Sequence, residues 1–226
     1  MGFYGISSSN QSSGLLRYKS SGDGRNYYYR NAIQMVEIGS GVTSIDSNAF
    51  NNCYSLASIT IPSGVTSIDS YAFNNCYSLA SITIPSGVTS IGNSVFAYCY
   101  SLASITIPSG VTSIGNSAFY YCNSLASITI PSGVTSIDSE VFDGCYSLAN
   151  ITIPSGVTNI GNKAFSQCYG VAEYHFAPTT PPTLANTNAF SGIPVDCIIY
   201  VPYSSDHSIL EAYKTATNWS TYASYM

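Results

Sequence analysis

The chain has 226 residues, a formal net charge of −5 and only 8% charged residues, so uncharged polar side chains must cover most of its surface. Phosphate binding needs clustered lysine and arginine, and six such residues in total argue against a nucleic-acid partner. No apolar run approaches the roughly 18 residues of a membrane span, and residues 1–10 show no signal-peptide pattern.

The N-terminal segment, residues 1–29, precedes the regular part of the sequence. Within it, LLRYK and the beginning of YYYR flank the glycine-containing stretch SSGDGRN, a pattern typical of a β-hairpin. A stack of repeats needs an atypical end to cover its core, so we predict that this segment is a capping hairpin.

Residues 30–203 repeat with a period of 23 residues, and such self-similarity is typical of a solenoid. The unit beginning at Cys53 reads CYSLASITIPSGVTSIDSYAFNN, and close copies continue to residue 167. Degenerate copies stand before and after them, which brings the prediction to about eight stacked coils. Six cysteines mark the period: Cys53, Cys76, Cys99, Cys122, Cys145 and Cys168.

Each coil is predicted to start with a short strand. In SITI, Ile59 and Ile61 alternate with Ser58 and Thr60, as expected of a strand that buries one face. Pro62 has no N–H for a strand ladder, and the Ser-Gly pair after it predicts a turn into a second extended piece. The buried set of the coil is predicted to be Leu56, Ile59, Ile61, Val65, Ile68, Ala72, Phe73 and Cys76.

A serine or asparagine recurs after the second extended piece, and these residue types favour the N-cap position of a helix. We therefore predict a short helical turn on this side of each coil, carrying Ala72, Phe73 and Cys76. The recurring positions are Ser47, Ser70, Asn93, Asn116, Ser139 and Asn162.

The pattern LxxIxIPxxVTxIxxxAFxxC resembles the BspA-like leucine-rich repeats, which are 23-residue repeats of bacterial surface proteins. The resemblance extends over residues 30–203. It implies a β-rich leucine-rich-repeat solenoid, with a parallel sheet on the concave face and short extended and helical-turn segments on the other side. It also implies that the protein lies at the cell surface or is secreted.

The stretch PPTLANTNAFSGIPVDCIIYVP followed by EAYKTATNWSTYA resembles the C-terminal cap of gut-bacterial members of this family, and we predict a helical cap in residues 204–226. Asp206 is a candidate helix cap, and the apolar side of the following helix includes Leu210 and Tyr213. We predict that Trp219 and Tyr222 continue this helical cover over the last coil.

The seven cysteines raise the question of disulfides or a metal site. Six of them form a line along the stack, where parallel side chains suit disulfide geometry poorly and cannot converge on one ion. Ile193 takes the cysteine place in the final coil, which marks this place as apolar core. We predict buried, unbridged thiols, including Cys197 outside the line, and no bound metal or cofactor.

Residues with catalytic chemistry are scarce, so we assign no catalytic residue and expect no enzyme. His175 and Glu173 share an outward strand face and could form a weak acid–base or metal pair, although a solvated capping strand explains them as well. Asp46, Asp69 and Asp138 recur at one repeat position, where adjacent coils could hold a cation or only form a turn.

Two surfaces are candidates for binding. The strand face carries nearly uniform hydroxyl ladders, which fit a repetitive ligand, a weak multivalent contact or recent repeat duplication. Its candidate residues are Ser58, Thr60, Ser81, Thr83, Ser104, Thr106, Ser127, Thr129 and Thr152. The turn side varies between coils and carries Tyr98, Tyr120 and Tyr121, which either form a specific contact surface or belong to a tolerant one. A further tyrosine ladder, one residue after most cysteines, could stack on sugar rings or pack between coils.

These features predict a non-catalytic binding or adhesion scaffold that contacts an unknown protein or a host surface. The alternative hypotheses are a glycan-binding or an ice-binding face built on the hydroxyl or tyrosine ladders. We expect a monomer without a nucleic-acid partner.

Overall fold

The computed structural model describes residues 5–6 and 33–226. The capping hairpin predicted within residues 1–29 lies outside these described ranges, apart from strand β1 (Gly5–Ile6), which pairs in parallel with strand β2 (Met35–Ile38).

The first row of strands continues from β2 through one short strand per coil. Its members are β4 (Ser58–Thr60), β6 (Ser81–Thr83), β8 (Ser104–Thr106), β11 (Asn150–Ile153), β13 (Glu173–Phe176) and β15 (Ile198–Tyr200), with a bridge from Ser104 to Ser127 between β8 and β11.

The register of this row follows the sequence period. Ser81 pairs with Ser104 and Val36 with Ile59, each 23 residues apart, so equivalent side chains stand above one another. An alanine before each strand extends the ladder: the Ala103 N–H donates to the Ala80 carbonyl at 3.1 Å, and the Ala126 N–H donates to the Ala103 carbonyl at 3.1 Å. The first row is therefore joined from coil to coil even where a regular strand is not formed.

A second row of two-residue parallel strands follows the Pro-Ser-Gly turn. Its members are β3 (Ser44–Ile45), β5 (Ser67–Ile68), β7 (Ser90–Ile91), β9 (Ser113–Ile114), β10 (Ser136–Ile137), β12 (Asn159–Ile160) and β14 (Thr183–Leu184). Each turn between the rows is closed by a hydrogen bond such as that from the Val65 N–H to the Pro62 carbonyl, at 3.1 Å. The predicted fold class is confirmed: stacked coils with parallel strands form a β-solenoid of about seven turns.

The predicted helical turn is wrong, because the chain forms consecutive β-turns there. The Ala49 N–H donates to the Asp46 carbonyl and the Cys53 N–H to the Phe50 carbonyl, both at 3.1 Å, which closes two successive turns. Asn48 and Asn52, the third residues of these turns, have φ angles of 61° and 63°, in the left-handed region. The next five coils place a left-handed residue at the same two positions, and the last coil does so only at the second, with Gly192.

The physical reason for this difference is competition for backbone N–H groups. In each coil before the last, the phenylalanine N–H donates to the next coil, as the Phe50 N–H does to the Ala72 carbonyl at 2.7 Å, so it cannot bond within a helix. The predicted N-cap side chains also act between coils: the Asn93 N–H donates to Ser70 Oγ at 3.1 Å, and the Asn116 N–H to Asn93 Oδ1 at 2.9 Å. The turns thus form a third ladder along the stack.

The predicted buried set occupies the interior of the coil. Leu56, Val65, Phe73 and Cys76 are fully buried, and Ile61 is half-buried. One phenylalanine per coil forms an internal stack of nearly parallel rings, with neighbouring centroids 5.2–5.6 Å apart. The members of this stack are Phe50, Phe73, Phe96, Phe119, Phe142, Phe165 and Phe190.

The C-terminal cap consists of helix α1 (Ser208–Thr215) and a 3-10 helix (Trp219–Tyr225). Trp219 is fully buried, and its Nε1–H donates to the Pro182 carbonyl at 2.7 Å. Tyr213 is also buried and donates its hydroxyl to the Pro178 carbonyl at 2.8 Å. Asp206 accepts the Ser208 N–H at 3.0 Å, although the N-cap position itself is His207. Within residues 5–6 and 33–226, no helix is long and apolar enough to cross a membrane.

Candidate binding surface

The strand face presents the predicted hydroxyl ladders to solvent. Thr83 and Thr106 are exposed and paired in register, as are Ser81 and Ser104 one position earlier on each strand. Thr60, Ser127, Thr129 and Thr152 are exposed on the same face, whereas Ser58 is half-buried. The central coils therefore offer small, repeated hydroxyl groups rather than a pocket with converging polar groups.

The C-terminal end of the strand face differs from its centre. His175 Nε2 lies 2.8 Å from Glu173 Oε2, and the His175 ring stacks on Tyr200 with centroids 4.8 Å apart. Ile198 is exposed beside them, and Tyr203 is 86% exposed. Sequence reasoning missed Ile198 and Tyr200. Alternation around the buried Ile199 could have identified both.

The Glu173–His175 pair forms as predicted, but its surroundings do not assemble a reaction site. Both side chains are about two-fifths exposed, and one face of the imidazole ring is covered by Tyr200. No group of three histidine, cysteine or acidic side chains that could hold a metal occurs in the part of the chain that the structure describes. The arrangement fits a solvated strand next to the end of the row.

The recurring aspartates form turns. Ser44 Oγ donates to Asp46 Oδ1 at 3.0 Å, and Ser136 Oγ donates to Asp138 Oδ1 at 2.8 Å. Gly92 stands at the equivalent position of another coil, where a Cβ would come within 2.7 Å of the Ser70 backbone nitrogen. Close approach between coils therefore determines which residue this position accepts.

The cysteine line lies in the core. All seven cysteines are buried, and no disulfide joins any cysteine of the chain, since all lie within the described range 33–226. Cys76 Sγ donates to the Phe50 carbonyl and Cys99 Sγ to the Phe73 carbonyl, both at 3.3 Å, and three later cysteines repeat this contact. Burial raises the pKa of the Cys99 thiol well above its ordinary value. These thiols therefore serve packing and hydrogen bonding.

A continuous row of tyrosine rings runs along the turn side, with neighbouring centroids 4.6–6.1 Å apart. We call it the tyrosine strip. Its residues are Tyr54, Tyr77, Tyr100, Tyr98, Tyr120, Tyr121, Tyr146 and Tyr169. The strip joins the tyrosine ladder and the variable tyrosines, which occupy different positions of the repeat.

The two arms of the strip are stacks between coils. Tyr54 and Tyr77 have centroids 4.7 Å apart and an interplanar angle of 19°, and Tyr146 and Tyr169 lie 5.6 Å apart at 18°. Rings stacked in this way cover each other's faces and present edges and hydroxyls to solvent. Stacking of a sugar ring between neighbouring rings would require these contacts to open, so the arms favour packing between coils.

The centre of the strip has a different geometry. Tyr98, Tyr120 and Tyr121, which we call the tyrosine cluster, are half-buried. Tyr98 meets Tyr120 at 90° with centroids 5.3 Å apart, and Tyr120 meets Tyr121 at 57° and 4.6 Å. Because the rings are not mutually parallel, the cluster is an irregular aromatic surface rather than a stack.

Backbone geometry positions the tyrosine cluster. Tyr98 and Tyr121 are left-handed residues of successive turns, with φ angles of 61° and 55°. The Tyr98 N–H donates to the Tyr120 carbonyl at 2.7 Å, which fixes the two coils against each other. Asn123 replaces the ladder tyrosine of this coil. In the orientation that satisfies its amide, Asn123 Nδ2 donates to the Tyr121 and Gly144 carbonyls, at 3.1 and 3.0 Å.

Acidic side chains border the tyrosine cluster. Glu140 Oε2 accepts the Ser117 hydroxyl at 3.1 Å, and the buried Asp143 accepts Gln167 Nε2 at 3.3 Å. Burial, the neighbouring tyrosines and then the carboxylates of Asp143 and Glu140 raise the pKa of Tyr120 to about 12. Burial also raises the pKa of Asp143, against the opposing effects of Ser166 and Lys163. Two carboxyl groups therefore lie near the cluster, and Lys163 is the neighbouring positive charge.

Comparison with known proteins agrees with this architecture. The family model of the BspA type leucine rich repeat region matches residues 24–148 and 90–210, in six copies. The chain belongs to this family. No curated protein matches it significantly.

Solved structures show the same fold. The T. pallidum leucine-rich repeat protein TpLRR is 34% identical, with a TM-score of 0.58, over 62% of this chain and 66% of that one. A leucine-rich repeat protein from Bacteroides ovatus is 21% identical, with a TM-score of 0.54, over 75% and 63%. The chain thus spans less than two thirds of the length of either structure.

Proposed function

We propose that this chain is a non-catalytic binding or adhesion module of a bacterial surface or secreted protein, and that the tyrosine strip is its contact surface. Membership of a family of repeat scaffolds supports the binding role and the absence of catalysis. The half-buried tyrosine cluster is the observation that carries the choice of surface. Tyrosine supplies a large contact area with little conformational freedom to lose.

The turn side is preferred to the strand face because it distinguishes one coil from another. On the strand face, Thr60, Thr83 and Thr106 are equivalent, so a single irregular partner would find no unique place among them. On the turn side, Tyr98 and Tyr121 stand where other coils carry Asn52, Asn75, Gly144 and Gln167. A unique group of aromatic side chains on a uniform scaffold is what a specific interface requires.

Repeat-equivalent residues provide a matched test. The triple variant Tyr98→Asn, Tyr120→Asn and Tyr121→Asn places at each position a residue that other coils already carry there, including the left-handed Asn52 and Asn75. The variant should keep the circular dichroism spectrum of the parent chain. Binding to immobilised extracellular-matrix proteins and a glycan array should fall by about tenfold or more, since a central group of contacts dominates most interfaces.

The second candidate is a repetitive glycan held by the strand face, which the in-register pairing of Thr83 with Thr106 favours. The double variant Thr83→Lys and Thr106→Lys changes that face and leaves the tyrosine strip intact. If this variant loses binding to the arrayed partners and the tyrosine variant retains it, the strand face is the contact surface and our choice of surface is wrong. Thermal hysteresis of the parent chain would favour the ice-binding hypothesis instead.

A further inference from the structure

We propose that the tyrosine cluster accepts an arginine side chain of an extended basic polypeptide, with Glu140 as the carboxylate partner of the guanidinium group. This inference rests on the proposed function and assigns a ligand class to the same surface. Three observations support it: the geometry of the tyrosine rings, the position of the acidic side chains and the net charge of the chain.

The rings provide a surface that attracts cations. The face of an aromatic ring carries negative partial charge, and arginine is the side chain that most often lies against it. Tyr98 and Tyr121 lie 5.9 Å apart at an angle of 33°, with Tyr120 beside both. In contrast to the stacked arms, the rings of this cluster meet at open angles and are half-buried, so part of their surface is accessible to a planar guanidinium group.

Two acidic residues lie on the turn side, in the coil next to the tyrosine cluster. Glu140 occupies a position that is Asn48, Tyr71, Ser94, Ser117 or Lys163 in the other coils. Asp143 likewise stands where other coils carry Asn51, Asn74, Ala97, Tyr120 and Ser166. The Tyr121 N–H donates to the Asp143 carbonyl at 2.8 Å, so the acidic coil lies directly against the cluster. Glu140 is half-buried. Water therefore screens the attraction between its charge and a ligand less than it would at a fully exposed position.

Charge complementarity favours a basic polypeptide over a glycan. The whole chain has a net charge of −5, so a cationic partner is attracted over a distance as well as at the site. A neutral sugar hydroxyl can donate to a carboxylate but gains no charge attraction from it, and a sulfated sugar would be repelled. Arginine is favoured over lysine because its planar group can lie on a ring and donate to a carboxylate at once.

Lys163 is the opposing charge in this region and supplies a second prediction. It is exposed, lies one coil beyond Glu140 at the same repeat position, and lowers the pKa of Asp143. Removing this positive charge should strengthen cation binding, whereas removing the Glu140 charge should weaken it. Opposite effects from two neighbouring surface residues would not arise from a general loss of stability.

The experiment uses the peptide acetyl-Gly-Arg-Gly-Arg-Gly-amide and two matched peptides, with citrulline or lysine in place of arginine. Affinity for the full chain is measured by calorimetry or by chemical-shift titration. Citrulline keeps the shape of arginine without its charge and should bind about 10-fold more weakly, and lysine should bind a few-fold more weakly. Glu140→Gln should weaken binding of the arginine peptide by about 1.4- to 5-fold, and Lys163→Gln should strengthen it.

The Tyr98→Asn, Tyr120→Asn, Tyr121→Asn variant should abolish the difference between the arginine and citrulline peptides. Equal affinity for these two peptides in the parent chain would overturn the inference. The same conclusion would follow if Glu140→Gln and Lys163→Gln changed affinity in the same direction. If the tyrosine variant lost binding to an arrayed glycan or matrix protein while the parent chain ignored arginine, the proposed contact surface would stand and the ligand class would be wrong.

Discussion

The ring of Tyr121 lies over Gly144 of the next coil, so closely that a Cβ at position 144 would come within 2.8 Å of Tyr121 Cδ2. Gly144 itself has a φ angle of 77°. The two residues occupy the same left-handed turn position in successive coils. The glycine therefore serves two purposes: it adopts the turn conformation without strain, and it leaves room for the aromatic ring above it.

A double-mutant cycle tests this relationship. Gly144→Asn should destabilise the chain by about 1–3 kcal/mol, because asparagine tolerates the left-handed turn but its side chain meets the Tyr121 ring. Adding Tyr121→Asn should recover most of the loss, since Asn52 and Asn75 already occupy successive coils, with a 2.8 Å hydrogen bond between their side chains. The measurement is the midpoint of thermal and urea unfolding.

Gly64→Ala is the control for that cycle. A Cβ at Gly64 would lie 3.6 Å from its nearest neighbour, the backbone oxygen of Val42, which is ordinary van der Waals contact. Its unfolding midpoint should stay close to that of the parent chain. Additive effects of Gly144→Asn and Tyr121→Asn would show that the ring and the glycine are not coupled.

The cysteines should be inert in the native chain. Burial raises the pKa of Cys145 well above its ordinary value and that of Cys197 to about 11, so little thiolate is present at neutral pH and little of it is accessible. A thiol reagent should label few of the seven cysteines before denaturation and all seven afterwards without a reductant. Ser86→Cys, at an exposed position, should add one rapidly labelled thiol. Fewer than seven thiols in the denatured parent chain would indicate a disulfide.

The C-terminal cap should be sensitive to Trp219. Trp219→Ala removes a fully buried side chain that packs on Phe176, Phe190 and Tyr213, and should cost about 3–5 kcal/mol. Trp219→Phe keeps most of the packing but leaves the Pro182 carbonyl without its donor, at a cost of about 1–3 kcal/mol. Thermal unfolding should rank the parent chain first, then Trp219→Phe, then Trp219→Ala. Equal midpoints for the two variants would mean that the hydrogen bond, rather than packing, dominates.

Alkaline pH should destabilise the folded chain. Burial, followed by hydrogen bonding to Tyr121, raises the pKa of Tyr146 from 10.0 to about 12. Below pH 10 the phenol is protonated in both states, so it adds no pH dependence. Between pH 10 and 12 the unfolded chain releases a proton that the folded chain retains, so the free energy of unfolding falls. Unfolding midpoints measured from pH 8 upward should show this loss.

Tyr146→Phe is the matched variant for the alkaline prediction, because phenylalanine keeps the ring and has no proton to release. Its stability should decline less steeply above pH 10 than that of the parent chain. The same titration should show tyrosinate absorbance developing later in the folded chain than in a denatured sample. Identical slopes for the parent chain and Tyr146→Phe would contradict the assignment to this residue.

The strands and the core could be predicted from the sequence because one physical pattern determined both. Alternation of Ile59 with Ser58 and Thr60 identifies a strand with one buried face, and the fixed period places its copies in register. Trp219 and Tyr222 were recognisable as part of the cap because a solenoid must close its last coil. These inferences depend on local pattern and periodicity alone.

The turns could not be predicted in the same way. Serine or asparagine before an apolar pair suits a helix start, but it suits consecutive β-turns equally well. Asparagine at positions 48 and 52 was a signal for left-handed backbone. Tyr71 and Tyr98 at the equivalent positions of later coils made this signal hard to recognise. The direction of the tyrosine side chains depends on those turns, so the continuous strip emerged only from the structure.

Because equivalent residues of bonded coils are 23 positions apart, the length of the molecule can change by whole repeat units. Core and strand-ladder contacts join positions 23 residues apart, and residues 54–76 and 77–99 are nearly interchangeable. Removing residues 78–100 would bring Tyr77 next to Ser101 and recreate the same CYSLAS junction. Gene slippage of one unit would therefore shorten or lengthen the rod by about 4.8 Å while the remaining layers keep equivalent neighbours. The reach of the protein can vary in discrete steps without a new folding problem.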